Sequence, residues 1–154
     1  MTDATRLSPT RRSLVLLGAG GLAWLTVRPA LATPDTMAAG IADFTRGVAP
    51  IPGRVALEIP PLVENGNSVP LTIRVDSPMT EADHVATIAV FNEKNPQPFV
   101  ARFHLGPWSG RAEVGTRIRL GDSQKIVAVA ALSDGTFWSG AADLVVTLPA
   151  CVEN

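Results

Sequence analysis

The chain has 154 residues, 46% of them hydrophobic and 18% charged, with 13 basic and 14 acidic side chains. That is enough for one domain with an ordinary buried core and hardly two, and it excludes a disordered chain. The near-balanced charge offers no basic surface for nucleic acid or an anionic membrane, and a single cysteine excludes an intramolecular disulfide framework.

Residues 1–32 read as an export signal. Arg11-Arg12 precedes an apolar run over residues 14–27, and Ala30-Leu31-Ala32 forms an A-x-A cleavage site. The run contains Gly18, Gly20 and Gly21 and is too short for a membrane span. The paired arginines within Thr10-Arg11-Arg12-Ser13-Leu14 point to the twin-arginine route and a periplasmic destination, with an ordinary secretory signal as the plainer alternative. Cleavage removes four basic residues and one acidic one, which leaves nine against thirteen and moves the chain further from nucleic-acid or membrane binding.

Residues 33–53 make a short helix and a linker. Met37, Ile41 and Phe44 recur at helical spacing, Thr33 is placed to cap, and Pro34 occupies the first helical position. Gly47, Pro50, Pro52 and Gly53 then end the helix. From residue 54 the period changes to two. Val55, Leu57 and Ile59 form one alternating set, and Val69, Leu71, Ile73 and Val75 form the next, opposite Thr72, Arg74 and Asp76. Between them Glu64-Asn65-Gly66-Asn67-Ser68 is a turn, rich in residues that tolerate left-handed backbone.

Residues 84–91 are apolar on both faces, as a central strand would be, and a polar loop over residues 92–98 leads to a strand with Phe99, Ala101, Phe103 and Leu105 inward. In residues 111–120, Ala112, Val114, Thr116, Ile118 and Leu120 form a core face opposite Arg111, Glu113, Gly115, Arg117 and Arg119. Ile126-Val127-Ala128-Val129-Ala130 has no polar face, which predicts a second central strand. Asp134-Gly135 is a hairpin signal, Phe137-Trp138 begins the return strand, and a final strand covers residues 143–148. Seven or eight short strands without intervening helices predict an all-β fold: an immunoglobulin-like antiparallel β-sandwich over residues 54–148, with the short N-terminal helix after the cleaved signal peptide and a cysteine arm over residues 149–154. An open barrel is the structural alternative.

The residues offer little catalytic chemistry. His84 and His104 are the only histidines, without metal-ligand spacing, and each reads as a strand histidine with a hydrogen-bond partner. No phosphate loop and no acid–base constellation is present, so no cofactor, metal or catalytic residue is expected. A nucleophilic pair between Cys151 and a histidine has no support in the spacing. Trp108 and Trp138 read as core or interface anchors, and Arg117 and Arg119 either steer an anion or form a solvated strand face. The residue that stands out is Cys151, unpaired in an oxidising compartment and just past the final strand, where a thiol is presented to other molecules.

The segments Val63-Glu64-Asn65-Gly66-Asn67-Ser68-Val69-Pro70, Asp76-Ser77-Pro78-Met79-Thr80, Asn92-Glu93-Lys94-Asn95-Pro96, Thr116-Arg117-Ile118-Arg119-Leu120 and Ser133-Asp134-Gly135-Thr136-Phe137-Trp138 together resemble the SoxY family of sulfur-oxidation carrier subunits. The resemblance runs from about Ile59 to Cys151. It implies an immunoglobulin-like subunit exported by the twin-arginine route and paired with a SoxZ-like subunit as a heterodimer. It also implies that Cys151 is the covalent attachment site for thiosulfate-derived sulfur, shown to partner enzymes in the periplasm. The family's arm reads Gly-Gly-Cys-Gly-Gly, whereas Pro149-Ala150-Cys151-Val152-Glu153-Asn154 is closer to a related subgroup with Ala-Ala-Cys-Ile-Glu. Pro149 stiffens this arm and Val152 thickens it. Glu153 places negative charge beside the sulfur, which disfavours the thiolate and repels an incoming dianion. Extended from Leu148, the tail is expected to carry the sulfur about 10 Å beyond the domain edge.

Two functions remain open on the residues. One is a non-catalytic carrier that bears a small sulfur species on Cys151. The other is an immunoglobulin-like docking or assembly module of a periplasmic redox system, in which Cys151 forms an intermolecular disulfide. An independent enzyme ranks last, since nothing accompanies the nucleophile.

Overall fold

A computed structural model describes residues 32–150; the export signal expected over residues 1–32, apart from Ala32, and Cys151 with the rest of the expected arm to Asn154 lie outside the described residues. Helix α1 spans Pro34–Phe44, with Thr33 as its N-cap and Pro34 at its start. Thr33 and Thr36 form a reciprocal capping box: the Thr36 N–H donates to Thr33 Oγ1 at 3.2 Å and the Thr33 N–H to Thr36 Oγ1 at 2.6 Å. The helix stops where Gly47 takes a φ of 82° and donates its N–H to Ala42 O.

Nine strands follow among the described residues: β1 (Ile51–Pro52), β2 (Val55–Glu58), β3 (Leu62–Val63), β4 (Val69–Val75), β5 (Val85–Asn92), β6 (Phe99–His104), β7 (Glu113–Ile118), β8 (Gln124–Leu132) and β9 (Phe137–Val146). They form two sheets packed as an immunoglobulin-like sandwich, one ordered β1-β9-β8-β5-β6 with β3 also on β9, the other ordered β2-β4-β7. All pairings are antiparallel except the two short segments on β9. There Ile51 pairs with Trp138 and Leu62 with Val145, so β1 and β3 cover the backbone of an edge that would otherwise be open.

The apolar runs of β5 and β8 have the expected cause. Val85, Ile88, Val90, Ile126, Ala128 and Ala130 face the inter-sheet core with Val69, Leu71 and Ile73 of β4. Ala89, Phe91 and Val129 face the other way, where Met37, Ile41 and Phe44 of α1 cover them. Phe44 packs edge-on against Phe137 at 5.9 Å and tilted on Phe91 at 6.2 Å. The two central strands thus have apolar layers on both sides, and neither has a face left for polar residues.

Three expectations are corrected. Phe137 begins a single ten-residue strand, not two strands separated near Gly140. Gly140 lies inside it because β2 crosses close by, and a β-carbon there would stand 2.1 Å from Val55 O. Phe99 does not face inward. A register shift between Val90 and Phe91 makes Phe91 pair with Phe99 on the outer face while Val90 pairs with Ala101 on the inner one. Finally, residues 64–68 do form the turn, but no residue in it has a positive φ. Gly66 serves there for a different reason.

Candidate functional site at the root of the cysteine arm

Strand β9 delivers the chain to the end of the sandwich where the loop over residues 64–68, the β5–β6 loop and the β7–β8 turn converge. Its last residues are held from both sides. On the β8 side the Val146 N–H donates to Ser123 Oγ at 2.9 Å. On the β3 side Val145 N–H donates to Pro61 O and Thr147 N–H to Val63 O, each at 2.9 Å. The Thr147 hydroxyl reaches Glu64 O at 3.3 Å.

Beyond β9 the chain stays bound. Gly66 donates its N–H to Leu148 O at 2.8 Å and accepts at its own carbonyl from Leu120 N–H at 2.9 Å. The Leu120 carbonyl then accepts from Ala150 N–H at 2.9 Å. These bonds straddle Pro149, which has no N–H to offer. Leu120 and Ala150 are both buried. The tail therefore does not leave the domain at Leu148. Two residues expected to extend it lie against the sandwich, and only from Cys151 onward does the chain pass outside the described residues.

The turn that supplies Leu120 is fastened by an amide network. Asn95 donates through Nδ2 to Arg119 O at 2.8 Å and accepts at Oδ1 from Gly121 N–H and from Gln124 Nε2, both at 3.0 Å. Gln124 Oε1 accepts from Lys94 N–H, and Asn92 Oδ1 from Asn95 N–H. Asn92 and Gln124 are buried, yet among the described residues no buried side-chain nitrogen or oxygen lacks a partner. A network satisfied to this degree fixes the two loops in one arrangement.

The charges nearby are mixed. Lys94 Nζ lies 2.9 Å from Asp122 Oδ2. That bond, and after it the Ser123 N–H, hold the Asp122 carboxyl below the usual aspartate range. Arg117 is exposed and reaches Ser68 Oγ at 3.4 Å, while Arg119 is exposed beside Leu120. Both arginines thus sit at the arm's end of the molecule. Leu62, Val145 and Leu148 around the root are all exposed.

The other singled-out residues lie elsewhere. His84 places Nδ1 3.0 Å from Thr80 O, and His104 places Nδ1 3.4 Å from Thr87 Oγ1. Both sit at the far end of β5, whose eight residues span about 25 Å. A pairing of either histidine with a group attached to Ala150 is thereby disfavoured. Among the described residues no group of three or more His, Cys, Asp or Glu is placed to hold a metal ion. Trp138 lies half-buried beneath the Arg54 guanidinium, 5.3 Å from the ring centre, and Trp108 is 86% exposed on a short 3-10 turn between β6 and β7. Gly66 was missed as a site residue. In the sequence Asn-Gly-Asn looks like any turn, and its contact is with segments more than fifty residues away.

The model of the family described as "Sulfur oxidation protein SoxY" matches residues 41–151, well over half of the chain. The chain belongs to the SoxY family. Among solved structures, the sulfur carrier protein SoxY from Chlorobium limicola f thiosulfatophilum is similar at 25% identity and a TM-score of 0.62, covering 75% of this chain and 100% of that one. A superoxide reductase (neelaredoxin) from Ignicoccus hospitalis is similar at 16% identity and a TM-score of 0.55, covering 76% and 95%, which is a likeness of fold alone. No curated protein matches the chain. The SoxY match begins inside α1 and ends on Cys151, so it takes in the whole sandwich and the clamped segment leading to the single cysteine.

Proposed function

We propose that the chain is a periplasmic carrier subunit of sulfur oxidation. It bears a sulfur species covalently on Cys151 and presents it to partner enzymes, with a SoxZ-like subunit beside it. The observation that carries this reading is the SoxY family match that runs to residue 151 and so takes in the only cysteine of the sequence. The similar Chlorobium protein is itself described as a sulfur carrier. Residues 1–32 serve as the export signal, by the twin-arginine route, and residues 149–154 as an arm of the subgroup with bulkier flanks.

The chemistry constrains the partners. Joining the Cys151 thiolate to the terminal sulfur of a sulfur anion forms one S–S bond and releases two electrons. Loading therefore requires a redox enzyme that accepts them, and no side chain described near the arm can do so. Unloading by hydrolysis or reduction likewise falls to a partner. The chain supplies a nucleophile, its placement and a surface to dock on.

Intact-mass measurement of the mature protein from cells oxidising reduced sulfur tests the reading. A mass increase by sulfur or sulfur-oxyanion units that disappears in Cys151→Ser is the expected outcome. An unmodified thiol under every growth condition, with normal sulfur oxidation by the Cys151→Ser strain, would sink it.

A further inference from the structure

Gly66 meets the arm where only a glycine fits. A β-carbon at that position would stand 2.3 Å from Leu120 O and 2.8 Å from Ala150 N, with Val146 Cγ1 at 3.2 Å. The two nearest atoms are backbone, so no side-chain rotation relieves the clash. The φ of Gly66 is not in the left-handed region. The position therefore requires space and not dihedral freedom.

We propose that Gly66 is the positioning residue for the sulfur. Because it has no side chain, the Leu120 carbonyl and the Ala150 N–H meet over its α-carbon, in the space a β-carbon would fill, and three backbone hydrogen bonds then tie the loop over residues 64–68, the β7–β8 turn and the arm together. Chain held as far as Ala150 leaves Cys151 on a tether of one peptide, about 3.8 Å between α-carbons, where release at Leu148 would add roughly 7 Å. A short tether confines the volume that the sulfur sweeps and raises its effective concentration at a client seated on this end of the sandwich. This inference deepens the carrier reading and rests on it for its purpose, though not for its test.

A nitroxide attached to the full chain reports on Cys151 alone, since the sequence has one cysteine. Gly66→Ala is expected to shorten the label's rotational correlation time severalfold and to raise amide exchange at Ala150 about tenfold, with circular dichroism unchanged. Ala150→Pro removes the N–H given to Leu120 while leaving residues 64–68 intact, and it should free the label equally; it decides the matter if Gly66→Ala does not fold. General destabilisation would move the melting temperature but not the native-state spectrum. A folded variant whose label and exchange match the parent overturns the clamp, as does a parent label as mobile as in urea. Neither readout needs cargo, so an absent sulfur adduct would remove the carrier reading and leave the clamp standing.

Discussion

Asp122 and Asp134 occupy matching roles at opposite ends of the sandwich. Asp122 is stabilised as a carboxylate first by Lys94 and then by the Ser123 N–H, and Asp134 first by the Thr136 hydroxyl and then by the Thr136 N–H. Both carboxyls titrate below the ordinary aspartate value of 3.8 in the folded chain. Between the folded and unfolded values the unfolded chain binds more protons, so stability rises with pH in that window. The contribution is fully present above about pH 4 and is lost as pH falls through the folded values. Asp122→Asn should therefore flatten the loss of stability in acid, read as urea midpoints between about pH 4.5 and pH 2.5. A parent-like slope would mean that the Lys94 bond does not persist in solution. Both carboxyls are solvent-exposed, which keeps the effect small at neutral pH. Asn95 does more for the architecture, because one side chain serves Arg119, Gly121 and Gln124 at once.

Among the elements, β9 has the most neighbours: β8 on one edge, β1 and β3 on the other, and β2 across the core. Its fourth residue is Gly140, where a methyl group would meet the Val55 carbonyl oxygen at 2.1 Å and Leu57 Cδ1 at 3.0 Å. Gly140→Ala is expected to push β2 off β9 at a cost of about 2–4 kcal/mol, measured as a lowered midpoint in chemical denaturation. An unchanged midpoint would show that the two strands can separate freely. The small residues Ser139-Gly140-Ala141-Ala142 look like a break between strands because they lack β-forming side chains. In the fold they are a close crossing. Helix α1 gives the opposite lesson, since cap, proline and apolar spacing all lie within a dozen residues of each other and the structure follows them.

For the molecule as a whole, the sandwich is the support, and the proposed carrier chemistry falls past Ala150, the last residue held against it. Cys151→Ser should accordingly leave the unfolding free energy within about 0.5 kcal/mol of the parent while abolishing any adduct. A large loss of stability would mean that the sulfur is part of the core. Sequence by itself determined the elements whose signals are local: the capped helix, the period-two strands, the doubly covered β5 and β8, the Asp134-Gly135 hairpin and the singular Cys151. Tertiary structure alone decided what depends on atoms far apart in the chain. The parallel segments β1 and β3 lack any pattern of their own and exist because β9 offers an edge. Phe99 faces outward because a bulge sets its register against Phe91. Gly66 matters because residues 120 and 150 meet in the space its side chain would fill. A sequence encodes hydrogen-bonding periods one neighbour at a time, whereas a close approach between backbones is a property of where the strands end up.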